Sequence, residues 1–264
     1  METAQPTQIS NARGAPLAIF VATGAEARPL CRALGPTHRS PHRLDAITRI
    51  GLDGRELLLA RTGVGPDNAE AVARRLLSEG PVAAALSVGV AAGLNPLLHA
   101  GDILVGDRAI LHRGGGATSQ SFHCDDRLQE WALTLVRESG SRHSLGPIVT
   151  VERILLTAEE KHRVAAESGA LAADMESAAV ASAASARAVP FLVIRAILDP
   201  VEEDLKIAFD QFLDGMGEPR PLLLARHILT HPLTLPSLVG LGRRTSALCA
   251  DLGHLLRDLS TIPA

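Results

Sequence analysis

The stretch from Ala173 to Pro200 restricts the possible folds of this chain more than any other part of it. Ser177–Ala188 is rich in alanine and contains neither glycine nor proline, which favours a helix. Pro190 ends that helix, and the apolar run Phe191–Ile194 is typical of a short strand covered on both faces. A helix that leads directly into a doubly covered strand predicts an α/β protein with helices on both faces of its sheet.

Two acidic residues flank this helix–strand unit. Glu176 precedes the helix, and Asp199 follows the strand together with Arg195, at its expected carboxyl end. Open α/β sheets bind ligands outside the carboxyl ends of their strands, so both acids can belong to one site. The structural alternative is that Asp199 caps a turn before Pro200 and that Glu176 occupies a first helical turn, where the helix dipole favours an acid. Spacing alone leaves both interpretations open.

Length and composition exclude several classes of protein. The 264 residues suffice for one α/β domain with a substantial core. A formal charge of −3 gives no electrostatic reason to expect nucleic acid as a partner. The three cysteines Cys31, Cys124 and Cys249 lack the spacing of a metal site, which predicts a reducing compartment. Residues 1–15 are polar and are predicted to form a loose tail, not a secretory signal.

Two further strand ends carry residues suited to a site. Leu17–Ala22 is predicted to be the first strand, and Glu26 lies in the turn to the next helix, where the helix dipole also favours an acid. Val82–Val90 is an apolar strand, and Gly89 with the small residues after it allows a ligand to approach the backbone closely. Tight packing of a helix on the sheet explains the same small residues, so both interpretations are open.

Two motifs together resemble the signature of the purine nucleoside phosphorylase and methylthioadenosine/S-adenosylhomocysteine nucleosidase superfamily. Asp174–Ala179 matches the Met-Glu-(Ser/Ala/Thr) motif, and Arg195–Asp199 matches the Arg-Ala-Ile-Ser-Asp motif that follows one helix later. The resemblance extends from Leu17 to Gly217. It implies a nucleoside phosphorylase-like catalytic domain over residues 16–217, with three α/β/α layers around a central mixed, partly barrel-like sheet.

The resemblance implies a role for each of three acids. Asp199 matches the acid that protonates the departing purine, and Glu176 matches the residue that holds the ribose hydroxyls and adds negative charge beneath a cationic transition state. Glu26 matches the glutamate that orients and deprotonates the attacking water, with Arg195 nearby to keep it ionised. The implied substrate-contacting residues are Met175, Phe209, Arg195, Gly89, Val90, Ile154 and Leu155.

The sequence departs from the family pattern in ways that bear on the reaction. Val90 replaces a serine that is usual near the nucleophile, and Ile154 replaces an aromatic residue that contacts the base. Phosphorylases commonly carry an arginine just before Gly89, and its absence favours water because a phosphate dianion needs several fixed donors. Arg28 and Arg195 are still available, so phosphate as a co-substrate stays open. The resemblance implies no metal and no other cofactor.

Residues 218–264 differ in character from the rest of the chain. Leucines recur there at helical spacing, with five arginines from Arg220 onwards against Asp251 and Asp258, which predicts an amphipathic helical extension. Such a segment can lie on an anionic membrane or wrap an apolar ligand. It can equally pack against the domain or against a second subunit. All of these interpretations are open.

The extension, together with Ile154, makes the hopanoid-associated branch of the superfamily the best match. This resemblance implies adenosylhopane as the substrate, whose cleavage releases adenine and leaves ribosylhopane. Three alternatives are a purine nucleoside phosphorylase, a methylthioadenosine/S-adenosylhomocysteine nucleosidase, and a non-catalytic protein that binds a nucleoside or a lipid. Because the family forms dimers, trimers and hexamers, we expect a homo-oligomer. We expect it in the cytoplasm, with contact to a membrane surface through the extension as a further interpretation.

Overall fold

The structure is a computed structural model that describes residues 14–35, 47–52, 55–112, 120–205, 209–212, 214, 218 and 220–262. Most of the predicted N-terminal tail, residues 1–13, lies outside the described residues. Residue 217, where we place the end of the catalytic domain, lies outside them as well.

Strands and helices alternate along most of the described chain. The strands are β1 (Leu17–Val21), β2 (Ile47–Leu52), β3 (Arg55–Arg61), β4 (Ala84–Gly93), β5 (Ile103–Leu111), β6 (Gln120–His123), β7 (His143–Thr150), β8 (Ala172–Asp174) and β9 (Phe191–Asp199). The α-helices are α1 (Gly24–Leu34), α2 (Pro66–Ser78), α3 (Asp126–Glu138), α4 (Ala158–Ser168), α5 (Ser177–Ser185), α6 (Pro221–Thr230) and α7 (Leu235–Leu255). Short 3-10 turns cover Phe209–Phe212, Pro232–Thr234 and Leu256–Thr261.

The strands form one mixed sheet, part of which closes on itself. Their order is β2-β3-β1-β4-β8-β7-β5-β6, and β9 pairs with both β4 and β5. β4, β8, β7, β5 and β9 therefore form a closed ring, and β1, β3 and β2 extend from it as an open sheet. Strand β9 runs parallel to β4 and antiparallel to β5. The predicted mixed, partly barrel-like sheet is confirmed.

Helices cover the sheet in two groups. α1 and α7 pack on each other, and α7 also lies against β4 and β9. α2 and α5 pack on each other, and α5 contacts several strands of the ring. All residues of β9 are buried, as its unbroken apolar start indicated, because β4 and β5 flank it and helices cover it. The predicted three-layer α/β fold is therefore confirmed.

The second half of α7 belongs to the core of the domain. Leu248 and Leu252 are buried in the main hydrophobic cluster. Gly253 allows α7 to approach α1 closely, since a Cβ atom there would lie 2.7 Å from the Cβ of Ala33. Packing against the domain thus accounts for this half of the C-terminal segment. Within the described ranges, none of the helices combines the length and the apolar character needed to cross a membrane.

Candidate active site

One cavity of about 420 Å³ brings together the three acids singled out in the sequence. Glu26 comes from α1, Glu176 from the residue before α5, and Asp199 from the end of β9. All three line the cavity, and each is more than nine-tenths buried. A cavity of this volume is in the range that holds small-molecule ligands. A purely structural role as caps or turn residues does not explain why acids so far apart in the chain meet around one space.

Glu26 serves the start of α1 and faces the cavity at the same time. Its Oε2 accepts hydrogen bonds from the backbone N–H of Thr23 at 2.9 Å and from the Thr23 hydroxyl at 3.2 Å. The backbone N–H of Glu26 in turn donates to the Thr23 hydroxyl oxygen at 3.3 Å, which completes a capping box. Its Oε1 accepts a hydrogen bond from the N–H of Val90 at 3.2 Å. Glu26 therefore caps α1 and lines the cavity as well, and these three donors fix the orientation of its carboxylate.

Glu176 is held between β8 and α5 by backbone groups. Its Oε1 accepts a hydrogen bond from the N–H of Gly65 at 3.0 Å, so the turn after β3 reaches the site. Burial, together with the negative charge of Asp174, raises the pKa of Glu176 to about 8. Arg195 and the N–H of Gly65 act in the opposite direction and favour the ionised carboxylate.

Asp199 is paired with a lysine that sequence reasoning did not single out. Its Oδ2 lies 2.6 Å from Nζ of Lys161, which is completely buried. The ammonium of Lys161 also donates to the carbonyl oxygens of Pro200 at 2.8 Å and of Glu203 at 2.6 Å. Burial raises the pKa of Asp199 to about 6, and the positive charge of Lys161 opposes this rise. A carboxyl group with this pKa carries a proton part of the time at neutral pH, as a general acid must.

Arg195 lies in the middle of β9, not at its end as predicted, because the strand continues to Asp199. Its Nε donates to Oδ2 of Asp174 at 2.9 Å, and its Nη2 donates to the hydroxyls of Ser87 and Ser177 at 2.8 and 2.9 Å. Arg195 is 3% exposed and does not belong to the cavity lining that the described residues form. In the structure Arg195 is the buried counter-ion of Asp174, and its contact with a substrate stays a prediction.

Gly89 pairs with Arg195 in the sheet and likewise stays outside the described lining. A Cβ atom at Gly89 would lie 2.6 Å from Oε1 of Glu26 and 3.0 Å from Nη1 of Arg195. The glycine therefore leaves room for these two charged groups. In the structure it is the side chains of Glu26 and Arg195 that come close to the backbone of Gly89. The guanidinium of Arg195 and the carboxylate of Glu26 thus both lie beside Gly89.

The remaining substrate-contacting candidates fall into two groups. Those that line the cavity are Val90, Ile154, Leu155 and Met175. Phe209 opens the 3-10 turn Phe209–Phe212, but its side chain lies outside the described residues. Phe212, the last residue of the same turn, lines the cavity and is 8% exposed.

The C-terminal segment supplies an apolar part of the cavity wall. Leu224 contributes to this wall from α6. The first half of α7 contributes Leu235, Leu238, Val239, Leu241, Gly242 and Thr245. The cavity therefore reaches from buried carboxylates to a surface of leucines.

Basic side chains at and near the cavity are paired with acids. Arg153 is the one basic residue in the lining formed by the described residues, and it donates to Glu160 at 2.6 Å. Arg28, which the sequence left available to phosphate, donates to Glu218 at 2.9 Å, and Arg61 pairs with the same carboxylate. No group of His, Cys, Asp or Glu in the described part of the chain is arranged to hold a metal ion.

Sequence reasoning missed two residues that shape this site. Lys161 and Val164 are the buried residues of α4 and lie three residues apart. This helical spacing of a lysine with an apolar residue was the available signal that Lys161 is buried. Glu218 gives no such signal, because its partners Arg28 and Arg61 lie 190 and 157 residues earlier in the chain.

Known proteins resemble this chain in sequence and in fold. The 5'-methylthioadenosine/S-adenosylhomocysteine nucleosidase of Aeromonas salmonicida is 27% identical over 180 residues, which are 63% of this chain and 78% of the relative. The crystal structure of the Campylobacter jejuni enzyme of that name has a TM-score of 0.71 at 20% identity and covers 94% of this chain and 99% of its own. A futalosine hydrolase mutant of Helicobacter pylori has a TM-score of 0.66 at 21% identity and covers 80% of this chain and 97% of its own.

The profile of the Phosphorylase superfamily matches residues 16–229, which is most of the chain. This match agrees with the two motifs from which the sequence analysis inferred the same superfamily, and with the ring of strands described above. The predicted enzyme class, nucleosidase or nucleoside phosphorylase, is confirmed at this level, and the chain belongs to the Phosphorylase superfamily.

Proposed function

We propose that this protein cleaves the N-ribosidic bond of a 5′-substituted adenosine and releases adenine, with adenosylhopane converted to ribosylhopane as its reaction. One observation carries the proposal: Glu26, Glu176 and Asp199 line the same cavity as four leucines of α6 and α7, namely Leu224, Leu235, Leu238 and Leu241. The acids suit the cleavage of a nucleoside, and the leucines suit an apolar group on the 5′ carbon.

Asp199 acts as the general acid in this proposal. Adenine leaves readily only when it departs as a neutral molecule, so N7 must receive a proton as the bond breaks, and a positioned acid contributes about 10²–10⁴-fold to such a step. Lys161 engages Oδ2 of Asp199, which leaves Oδ1 to carry the proton. The raised pKa of Asp199 makes this proton available at neutral pH.

Glu176 and Met175 hold the ribose. Cleavage of a glycosidic bond passes through a sugar that resembles an oxocarbenium ion and carries positive charge. The carboxyl group of Glu176 hydrogen-bonds the ribose hydroxyls. The positive charge that develops on the sugar favours the ionised form of Glu176, against the effect of burial on its pKa. Met175 lines the cavity beside it and packs on the sugar.

Glu26 orients and deprotonates the attacking water. Water suits the site better than phosphate, because Arg28 and Arg61 are paired with Glu218 and Arg153 is paired with Glu160. A phosphate dianion requires several fixed donors or cations. With these arginines engaged, we infer hydrolysis.

A second candidate is a methylthioadenosine/S-adenosylhomocysteine nucleosidase. The similarity to the Aeromonas salmonicida protein of that name favours it. The two candidates share the acids and differ in the group on the 5′ carbon, so they differ in what the leucine wall of α6 and α7 contacts.

The test is the release of free adenine from methylthioadenosine and from an adenosine with a lipid tail, each with and without phosphate. We expect release from both without phosphate, and a higher kcat/KM for the lipid-tailed substrate because its tail contacts the leucine wall. A rate that depends on phosphate would overturn hydrolysis, and a preference for methylthioadenosine would favour the second candidate. Tight adenine binding without turnover of either compound would identify a non-catalytic binding protein.

Lys161→Met is expected to shift the pH dependence of kcat. Lys161 lowers the pKa of Asp199 against the effect of burial, so removing its charge raises that pKa. The acid form of Asp199 drives the reaction and is lost as the pH rises through its pKa, so the descending limb of the profile moves to higher pH by roughly 1–3 units. The measurement is kcat between pH 5 and about 9, each profile scaled to its own maximum.

Arg163→Met is the matched control, because Arg163 is exposed on the same helix. Its profile should coincide with that of the wild type. Scaling removes differences in the amount of folded protein, so a profile of Lys161→Met that keeps its position would restrict Lys161 to a structural role.

A further inference from the structure

We propose that α6 and the turn after it dock on the surface of an anionic phospholipid bilayer, which places the leucine wall of the cavity next to the lipid. This surface, defined here as the docking surface, comprises Leu222, Arg226 and Leu229 on α6 and Leu233 in the following 3-10 turn. The inference rests on the proposed function for its purpose, the supply of a lipid-tailed substrate, but its test does not require turnover.

The docking surface exposes large apolar side chains. Leu222, Leu229 and Leu233 are 85%, 83% and 91% exposed. Leu222 and Leu229 are seven residues apart and therefore lie on the same side of α6, two turns from each other. Contiguous exposed apolar residues of this kind mark contact sites for membranes or proteins.

The charge around these leucines favours an anionic surface as the partner. Between Glu218 and Asp251 the sequence contains no acidic residue, and two of its arginines, Arg220 and Arg226, lie at the start of α6 and within it. Arg226 lies four residues after Leu222, on the same side of α6, and Arg226 and Arg220 are both exposed. Exposed leucines with arginines between them are typical of helices that lie in a membrane interface.

The docking surface is continuous with the cavity. Leu224 on α6 and Leu235 on α7 line the cavity, whereas Leu222 and Leu233, each two residues away, face outwards. The same short segment therefore borders the proposed substrate on its inner side and offers leucines to the surroundings on its outer side.

The test is co-sedimentation of the full chain with vesicles of phosphatidylcholine alone or with added phosphatidylglycerol. We expect binding to the anionic vesicles and at least about tenfold weaker binding to the neutral ones. In the variant L222Q/L229Q, binding to anionic vesicles should fall at least about tenfold, because glutamine keeps the helix propensity of leucine and removes its apolar side chain. Half a molar salt should weaken the wild-type interaction.

The matched control is L97Q/L145Q, which changes two exposed leucines, 77% and 47% exposed, outside the docking surface. It should bind vesicles as the wild type does. Equal losses in both variants, or no binding of the wild type to anionic vesicles, would overturn the proposal. Light scattering gives a further outcome that would overturn it. If the wild type is a dimer that does not bind vesicles and L222Q/L229Q is a monomer, the docking surface contacts a second copy of the chain instead of a membrane.

Turnover of methylthioadenosine, a soluble substrate, separates this inference from the proposed function. We expect L222Q/L229Q to keep the wild-type kcat/KM for methylthioadenosine, since neither leucine lines the cavity. A wild-type protein that binds vesicles but turns over no nucleoside would end the proposed function and leave the docking surface standing.

Discussion

Asp199→Asn is expected to lower kcat for adenine release by a factor of about 10²–10⁴, a larger loss of activity than we expect from any other substitution proposed for this protein. The amide has the shape of the carboxyl group, but it has no acidic proton to give to the departing purine. It still offers an oxygen to Lys161, whose ammonium also keeps its bonds to the carbonyl oxygens of Pro200 and Glu203. The measurement is single-turnover adenine release from methylthioadenosine near pH 6.

Asp126→Asn is the control, because its side chain is 85% exposed and its partners are His123 at 2.9 Å and Gln129 at 3.4 Å, both far from Asp199 in the chain. Circular dichroism of Asp199→Asn establishes that the loss does not come from unfolding. A folded Asp199→Asn protein that retains more than a tenth of the wild-type rate would remove Asp199 from the role of general acid. Another acid of the cavity would then have to protonate the base.

Arg195→Met is expected to destabilise the protein by about 3–5 kcal/mol, the largest effect on stability in the set. Nη2 of Arg195 lies 2.8 Å from Oδ2 of Asp174, and the side chains are 4% and 1% exposed. Methionine fills much of the space but leaves the carboxylate of Asp174 without its counter-ion. For a chain of this length each kcal/mol corresponds to about 2–4 °C, so we expect the melting temperature to fall by roughly 6–20 °C.

Arg49→Met tests the same chemistry at the surface, since the pair of Arg49 with Glu56 is about half exposed. That substitution should cost less than about 1 kcal/mol. The double variant D174N/R195M should recover part of the stability lost in Arg195→Met, because the uncompensated charge is gone. An equal melting temperature for Arg195→Met and Arg49→Met would contradict the assignment of a buried ion pair.

The sequence predicted the elements that depend on local patterns. The apolar runs at Leu17 and Phe191 marked β1 and β9, and the alanine-rich run from Ser177 marked α5. The positions of Glu26, Glu176 and Asp199 followed from motifs that place acids at strand ends and helix starts. Their meeting in one cavity is the geometric consequence of strands that end on one side of the sheet.

What the sequence could not predict depends on contacts between distant segments. The end of β9 was placed five residues too early, because Arg195 is a poor strand residue unless a carboxylate such as Asp174 is buried beside it. Lys161 stands between charged residues of α4 and resembles a solvated lysine, yet the loop after β9 surrounds it. Such pairings follow from the tertiary fold and leave little trace in local composition.

The closed ring of β4, β8, β7, β5 and β9 separates two duties of this enzyme. Asp199 ends β9 and Glu176 follows two residues after β8, so two of the three acids of the cavity are attached to strands that have no free edge. The leucine wall comes from α6 and α7, which are helices outside that ring. Substitutions in α6 and in the first half of α7 can therefore reshape the apolar wall of the cavity without altering the strand that carries Asp199.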